Sequence, residues 1–102
     1  MAFQELTEQQ WLSESKAEHE REALFFFTPL CGTCKLALRM LEIAEAAGIA
    51  VPVRTMNINF APALREKWRI ASVPCLVLLR GGEPVRFEYA MRSVDDLYRL
   101  LQ

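Results

Sequence analysis

This sequence has no long apolar run, no cluster of one charge and no even set of cysteines, and each absence closes off a class of function. Nothing in it approaches the ~20 consecutive apolar residues that a membrane-spanning helix needs. Lysine and arginine number 12 against 13 aspartates and glutamates, giving a net charge of −1. The two signs are interleaved along the chain, so no basic stripe forms and nucleic acid is not an expected partner. The opening, "MAFQELTEQQ", has neither a basic n-region nor an apolar h-region and does not read as a signal peptide. The expected compartment is therefore the cytoplasm, where thiols stay reduced. Three cysteines is an odd count and argues against a disulfide framework. Repeats, linkers and low-complexity segments are absent as well.

What is present suits a compact soluble protein. The 102 residues are 52% hydrophobic and 25% charged, which is too apolar for disorder. That length predicts a single domain, residues 1–102, with one core.

The order of elements follows from periodicity and punctuation. Thr7 and Gln10 fit a capping box for a helix reaching about Glu20, with Trp11 and Leu12 on its apolar side. The charges of "SESKAEHERE" read as its solvated end. "EALFFFT" reads as a buried strand over residues 23–28. A helix is expected from Cys31 to Ala47, with Leu36, Met40, Leu41 and Ala44 at helical spacing and Gly48 at its C-terminal cap. "VPVRTMNIN" is the next strand, and Pro62 opens a short helix carrying Leu64 and Trp68. "VPCLVLLRGGEPVRFEYA" reads as a hairpin turning at Gly81 and Gly82. Ser93 and Asp96 resemble a capping box for a closing helix with Leu97, Leu100 and Leu101. The expected class is α/β: a mixed central sheet of about four strands, with helices on both faces.

Chemistry concentrates in "TPLCGTCK", at the junction of the first long strand and helix. Cys31 at the helix start and Cys34 one turn further lie on the same face, close enough to bridge. The free N–H groups and positive dipole end favour a thiolate at Cys31. Thiols so placed have pKa values lowered to roughly 3.5–7.5. Lys35 adds positive charge nearby. A thiolate that attacks a disulfide needs a second thiol to release the product, so Cys31 is the expected nucleophile and Cys34 the resolving thiol. Half of a zinc site is the competing reading, but zinc usually takes four protein ligands. Only Cys75 and the lone His19 remain to supply them, so no metal is expected. The aromatics Phe25 to Phe27, Trp11 and Trp68 read as core.

On these residues the chain resembles the thioredoxin family. The pieces come in that family's order over residues 24–101: "FFFTPLCGTCK", then "MNIN", then "IASVPCLVLLRGGEPV" and a final amphipathic helix. The resemblance implies a thioredoxin fold and thiol-disulfide exchange, with no cofactor needed for the exchange itself. It implies disulfide-containing proteins or low-molecular-weight thiols as substrates, and a flavin-dependent reductase as electron donor. It also implies a cis Val73–Pro74 bond facing the redox pair. Leu30, Val73 and Pro74 then become substrate-binding positions, and Gly32, Thr33 and Lys35 support the redox loop.

Departures from the family pattern carry expectations of their own. Leu30 replaces the usual Trp, which alters peptide docking. Gly32-Thr33 replaces Gly-Pro, and the Thr33 hydroxyl can donate to a sulfur. Arg39 stands where a kinking proline is common. Phe25 occupies the place of a buried Asp that relays the resolver's proton, and Thr55 that of its companion Lys. Their joint absence is coherent, because losing one would leave the other unpaired in the core. Slower resolution by Cys34 is the expected result. Cys75, after the proline, reads as a small core residue or as a third thiol. Two alternatives differ in kind. One is a binding module that keeps the fold. The other is a metal or cluster protein using Cys31, Cys34 and Cys75.

Overall fold

A computed structural model describes residues 3–15 and 20–102. Five strands form one mixed sheet in the order β1-β3-β2-β4-β5. They are β1 (Gln4–Glu5), β2 (Arg21–Phe27), β3 (Val53–Asn57), β4 (Cys75–Arg80) and β5 (Glu83–Glu88). β3 runs parallel to β2 and to β1, while β4 and β5 pair antiparallel. The helices are α1 (Glu8–Ser13), α2 (Gly32–Ala46), α3 (Pro62–Lys67) and α4 (Val94–Leu100).

The alternation of β2 splits the core in two. Leu24 and Phe26 face one way, packing with Trp11 of α1 and with Leu64 and Trp68 in and after α3. Ala23 and Phe25 face the other way, against Ala37, Leu41 and Ala44 of α2 and Leu97 of α4. On the first side Trp68 meets Trp11 and Phe26 edge-on, with ring centroids 5.2 and 6.2 Å apart, an arrangement aromatic quadrupoles favour.

The expected class and helix placement are found, with corrections at the edges. The sheet has five strands rather than about four. β1 is two exposed polar residues long and shows no periodicity for a pattern argument to find. The capping box is present, Gln10 N–H donating to the Thr7 hydroxyl and Thr7 N–H to the Gln10 amide. That helix nevertheless stops at Ser13, with Glu14 already extended. Its expected continuation crosses residues 16–19, including His19, which lie outside the described residues. Leu12 is half exposed and Leu36 more so. Trp11 alone anchors α1, and Cys34 and Ala37 take the sheet-facing places on α2. The last strand of the βαβ unit ends at Asn57, Ile58 turning into a short 3-10 turn over Ile58–Phe60. Ser93 caps α4 through Asp96 N–H, but the Asp96 carboxylate pairs with Arg99 instead of closing the box.

Turn chemistry behaves as read. Gly81 and Gly82 both have positive φ, 59° and 84°, in a two-residue loop between paired Arg80 and Glu83. A hairpin loop of this length that matches strand twist needs such conformations. Gly48 (φ 97°) follows the C-terminus of α2.

Two long-range polar arrangements complete the fold. Arg54 of β3 reaches Glu22 of β2 at 2.6 Å and Glu14 at 2.6 and 2.8 Å, and Trp11 Nε1 donates to Glu22 at 3.3 Å. Ala61 offers α3 no side-chain cap, so the Glu8 carboxylate of α1 accepts from Leu64 N–H at 2.7 Å.

Candidate redox site

Where β2 ends, "TPL" turns the chain and Cys31 becomes the N-cap of α2 (φ −103°, ψ 109°). Its sulfur accepts from the Cys34 backbone N–H at 3.1 Å. That is the bond a capping Ser or Asp makes to the third helical residue. Thr33 Oγ1 lies 3.2 Å from the same sulfur, and Cys31 N–H donates back to the Thr28 carbonyl at 3.3 Å.

The two thiols are electrostatically unequal. Cys31 is partly exposed and its pKa lies below the ordinary value near 9, chiefly because the Cys34 thiol donates to its sulfur. The Thr33 hydroxyl is the next contributor, with backbone N–H groups adding to it. Cys34 is buried, and burial pushes it up to about 11, helped by its bond to Cys31 and by the negative charge there. A Thr28 N–H partly opposes that rise. Cys31 is therefore the first of the two thiols to ionise, and Cys34 the one that keeps its proton longer.

The remaining expected positions fall into place unevenly. Leu30 is 97% exposed beside Cys31. The Val73–Pro74 bond is cis. Pro74 lines one cleft of about 340 Å³ with Thr33, Leu36 and Met40. Val73 lines another with Thr28. Gly32 has open space where a Cβ would sit, so its lack of a side chain is not enforced sterically. Lys35 is exposed and is not among the groups that shift Cys31. Phe25 is fully buried on the α2 side and pairs with Thr55 across the β2–β3 ladder, the two positions where the charged pair was expected to be missing.

Cys75 does not join the pair. It opens β4 opposite Phe26 and belongs to the core on the α1/α3 side, away from α2. Burial raises its pKa to about 11, with the Tyr89 hydroxyl opposing and the Glu88 charge adding. Among the described residues no three His, Cys, Asp or Glu side chains converge as metal ligands. The metal or cluster reading through Cys31, Cys34 and Cys75 thus finds no geometry within one chain. Sequence reasoning missed the Thr28 carbonyl and the Tyr89 contact, because neither residue type nor spacing announces them.

Comparison with known proteins gives a uniform result. The thioredoxin family model matches residues 2–102. The chain is 36% identical over 94 residues to the thioredoxin-like protein YusE of Bacillus subtilis, covering 89% of each chain. It is 34% identical over 76 residues to a thioredoxin of Chlamydia caviae, covering 74% of each. Among solved structures, a point mutant of a thioredoxin from Halobacterium salinarum superposes with a TM-score of 0.82 at 22% identity, covering 96% of this chain and 86% of that one.

Proposed function

The chain belongs to the thioredoxin family and is a thiol-disulfide oxidoreductase, and on that premise we propose that Cys31 attacks substrate disulfides and Cys34 resolves them. The observation that carries this division is the inequality of the two thiols. The exposed sulfur has its pKa lowered by its contacts with Cys34 and Thr33, whereas burial raises that of the other.

The Cys31 thiolate attacks one sulfur of the substrate disulfide, forming a mixed disulfide and expelling the other sulfur as a thiolate. Bonding to Cys31 removes its negative charge, one of the causes of the raised Cys34 pKa. Cys34 then loses its proton and attacks Cys31 Sγ. The Cys31–Cys34 bridge forms and the second substrate thiolate leaves. Two electrons pass from the protein dithiol to the substrate.

Leu30, Val73 and Pro74 form the rim on which the substrate docks, and Thr33 and Gly32 shape the loop. Lys35 adds positive charge at its edge. Substrates are protein disulfides or mixed disulfides with small thiols. A separate reductase returns the electrons. Support for that partner comes from a Mycobacterium leprae protein named as a bifunctional thioredoxin reductase/thioredoxin, 24% identical over 83 residues and 80% of this chain, which is 18% of that protein. Among the described residues no helix is long and apolar enough to cross a membrane. We assign the protein to the cytoplasm, as one domain over residues 1–102.

Equilibration in dithiol/disulfide buffers, alkylation and counting of free thiols by mass tests the reading. The expected result is one two-electron step at Cys31 and Cys34 with Cys75 untouched, and loss of turnover in Cys31→Ser. A pair that resists oxidation, or Cys75 titrating with it, overturns the assignment.

A further inference from the structure

Two cavities, of about 190 and 370 Å³, share Ile58, Asn59, Arg65 and Ile70 and so form one continuous furrow. Its inner end is lined by Thr28 and Val73, the residues flanking the redox loop and the cis-proline. Its outer end is lined by Pro62, Glu66 and Arg69. The walls are therefore mixed, Ile58, Ile70 and Val73 alternating with polar groups that include two arginines.

Among the described residues neither guanidinium has an ion-pair partner. Arg54, Arg86 and Arg99 each hold a carboxylate within 2.9 Å, whereas Arg65 and Arg69 form no ion pair among the described residues. Glu66, the one carboxylate in the lining, pairs with neither. A furrow of net positive charge whose inner end reaches Thr28 and Val73, next to the redox loop and the cis-proline, complements a negatively charged substrate.

The backbone supplies an independent sign that the second cation is retained for something other than folding. α3 ends in a Schellman motif, with Ile70 N–H donating to Arg65 C=O at 3.0 Å and Arg69 N–H to Glu66 C=O at 3.2 Å. The left-handed residue of that motif is usually glycine. Here it is Arg69, with φ 53°, the one non-glycine residue of positive φ among those described. A Cβ in that conformation is unfavourable, so local stability alone would favour glycine at this position.

We propose that the furrow from Val73 to Arg69 is a subsite for an acidic segment of the protein substrate, its carboxylates meeting Arg65 and Arg69 while the target disulfide lies against Cys31. The proposal rests on the dithiol reading above. It names which protein disulfides that dithiol prefers: those flanked by aspartate or glutamate.

The test is single-turnover reduction by pre-reduced protein of two disulfide peptides, identical except for a Glu/Asp or a Gln/Asn flank. Neutral hydroxyethyl disulfide and a small dicarboxylate disulfide serve as references. The acidic peptide is expected to react about fivefold faster at low salt, the scale of two exposed ion contacts. That preference should fade at about 0.5 M salt, where screening reaches only a few ångströms. Arg65→Gln and Arg69→Gly should each reduce it, while leaving the rate on hydroxyethyl disulfide unchanged. Arg69→Gly should melt no lower than the parent protein, separating recognition from folding. Equal rates on the two peptides, or a preference surviving both substitutions, overturns the proposal. A preference confined to the small dicarboxylate overturns it in favour of a small thiol. Failure to reduce even hydroxyethyl disulfide overturns the dithiol reading, and the subsite with it.

Discussion

On the α1/α3 side of the sheet the chain buries an ion network, whereas on the α2/α4 side, beneath the redox helix, the one buried polar residue among those described is Thr55. Glu22 is 2% exposed yet fully engaged, taking bonds from Arg54 and Trp11. On the α2 side the corresponding depth holds Phe25. The fold accommodates buried charge when every lone pair has a donor. Its absence near the thiols is thus a property of the site, not of the scaffold. In the mixed disulfide Cys31 is already bonded to substrate, so with no buried carboxylate among the described residues on that side the Cys34 proton must go to water or another base, and that is the chemical content of the difference.

The largest effect should come from making the two sides alike. Phe25→Asp removes a fully buried ring and strands a carboxylate, costing about 4 kcal/mol or more in denaturant unfolding. Adding Thr55→Lys opposite it should recover part of that loss, as a coupling energy in a double-mutant cycle. In whichever of these variants remains folded, release of substrate by Cys34 should speed up in single-turnover kinetics. No gain in rate would mean the missing acid does not limit resolution.

Breaking the other side comes next. Arg54→Met takes the cation from the buried Glu22 carboxylate and should cost about 3 kcal/mol. The pH profile of Cys31 alkylation should not move, because the network lies on the far face. A shift there would show that the two sides are coupled.

Thr33→Val sharpens the comparison from within the site. It removes the hydroxyl 3.2 Å from the Cys31 sulfur, so the alkylation pKa should rise toward 9 and the rate at neutral pH should fall several-fold. An unchanged profile would leave the lowering to Cys34 alone.

The smallest effect is on alkaline stability. Cys34 and Cys75 titrate near 11 when folded and near 9 when unfolded. The unfolded chain thus loses these protons first, and the stability they contribute is full below pH 9 and lost as pH rises through 11. Cys75→Val should flatten part of that slope. An identical slope would show that Cys34 and the other titrating groups account for it.

How much of this was legible depended on the range of the interaction. The redox loop, the capping box and the hairpin glycines are local devices, and the residues that form them sit within a few positions of one another. Phe25 and Thr55 were read onto neighbouring buried strands from a resembling family, and the sheet pairs them there. The Glu22–Arg54–Glu14 network was not legible, since its partners lie 32 and 40 positions apart and each looks like a surface charge. Glu8 capping α3 from 56 positions away is hidden for the same reason. Leu12 and Leu36 misled because apolar type alone cannot say which side of a helix meets the sheet. The furrow joining Val73 to Arg69 exists only once α3 and the proline loop are folded side by side.

One further consequence follows from the sheet's two margins. β1 is two residues long. β5 carries Pro84, which lacks an N–H, and a register slip where it faces Leu78 and Leu79. Among the described residues β1 offers only a short row of unpaired N–H and C=O groups for another molecule's strand to continue, and on β5 the proline and the slip interrupt that row. A protein with a reactive thiol and an exposed leucine beside it is thereby spared part of a second kind of stickiness, so when copies meet at high concentration the growth of fibrils through strand addition is disfavoured at both ends of the sheet.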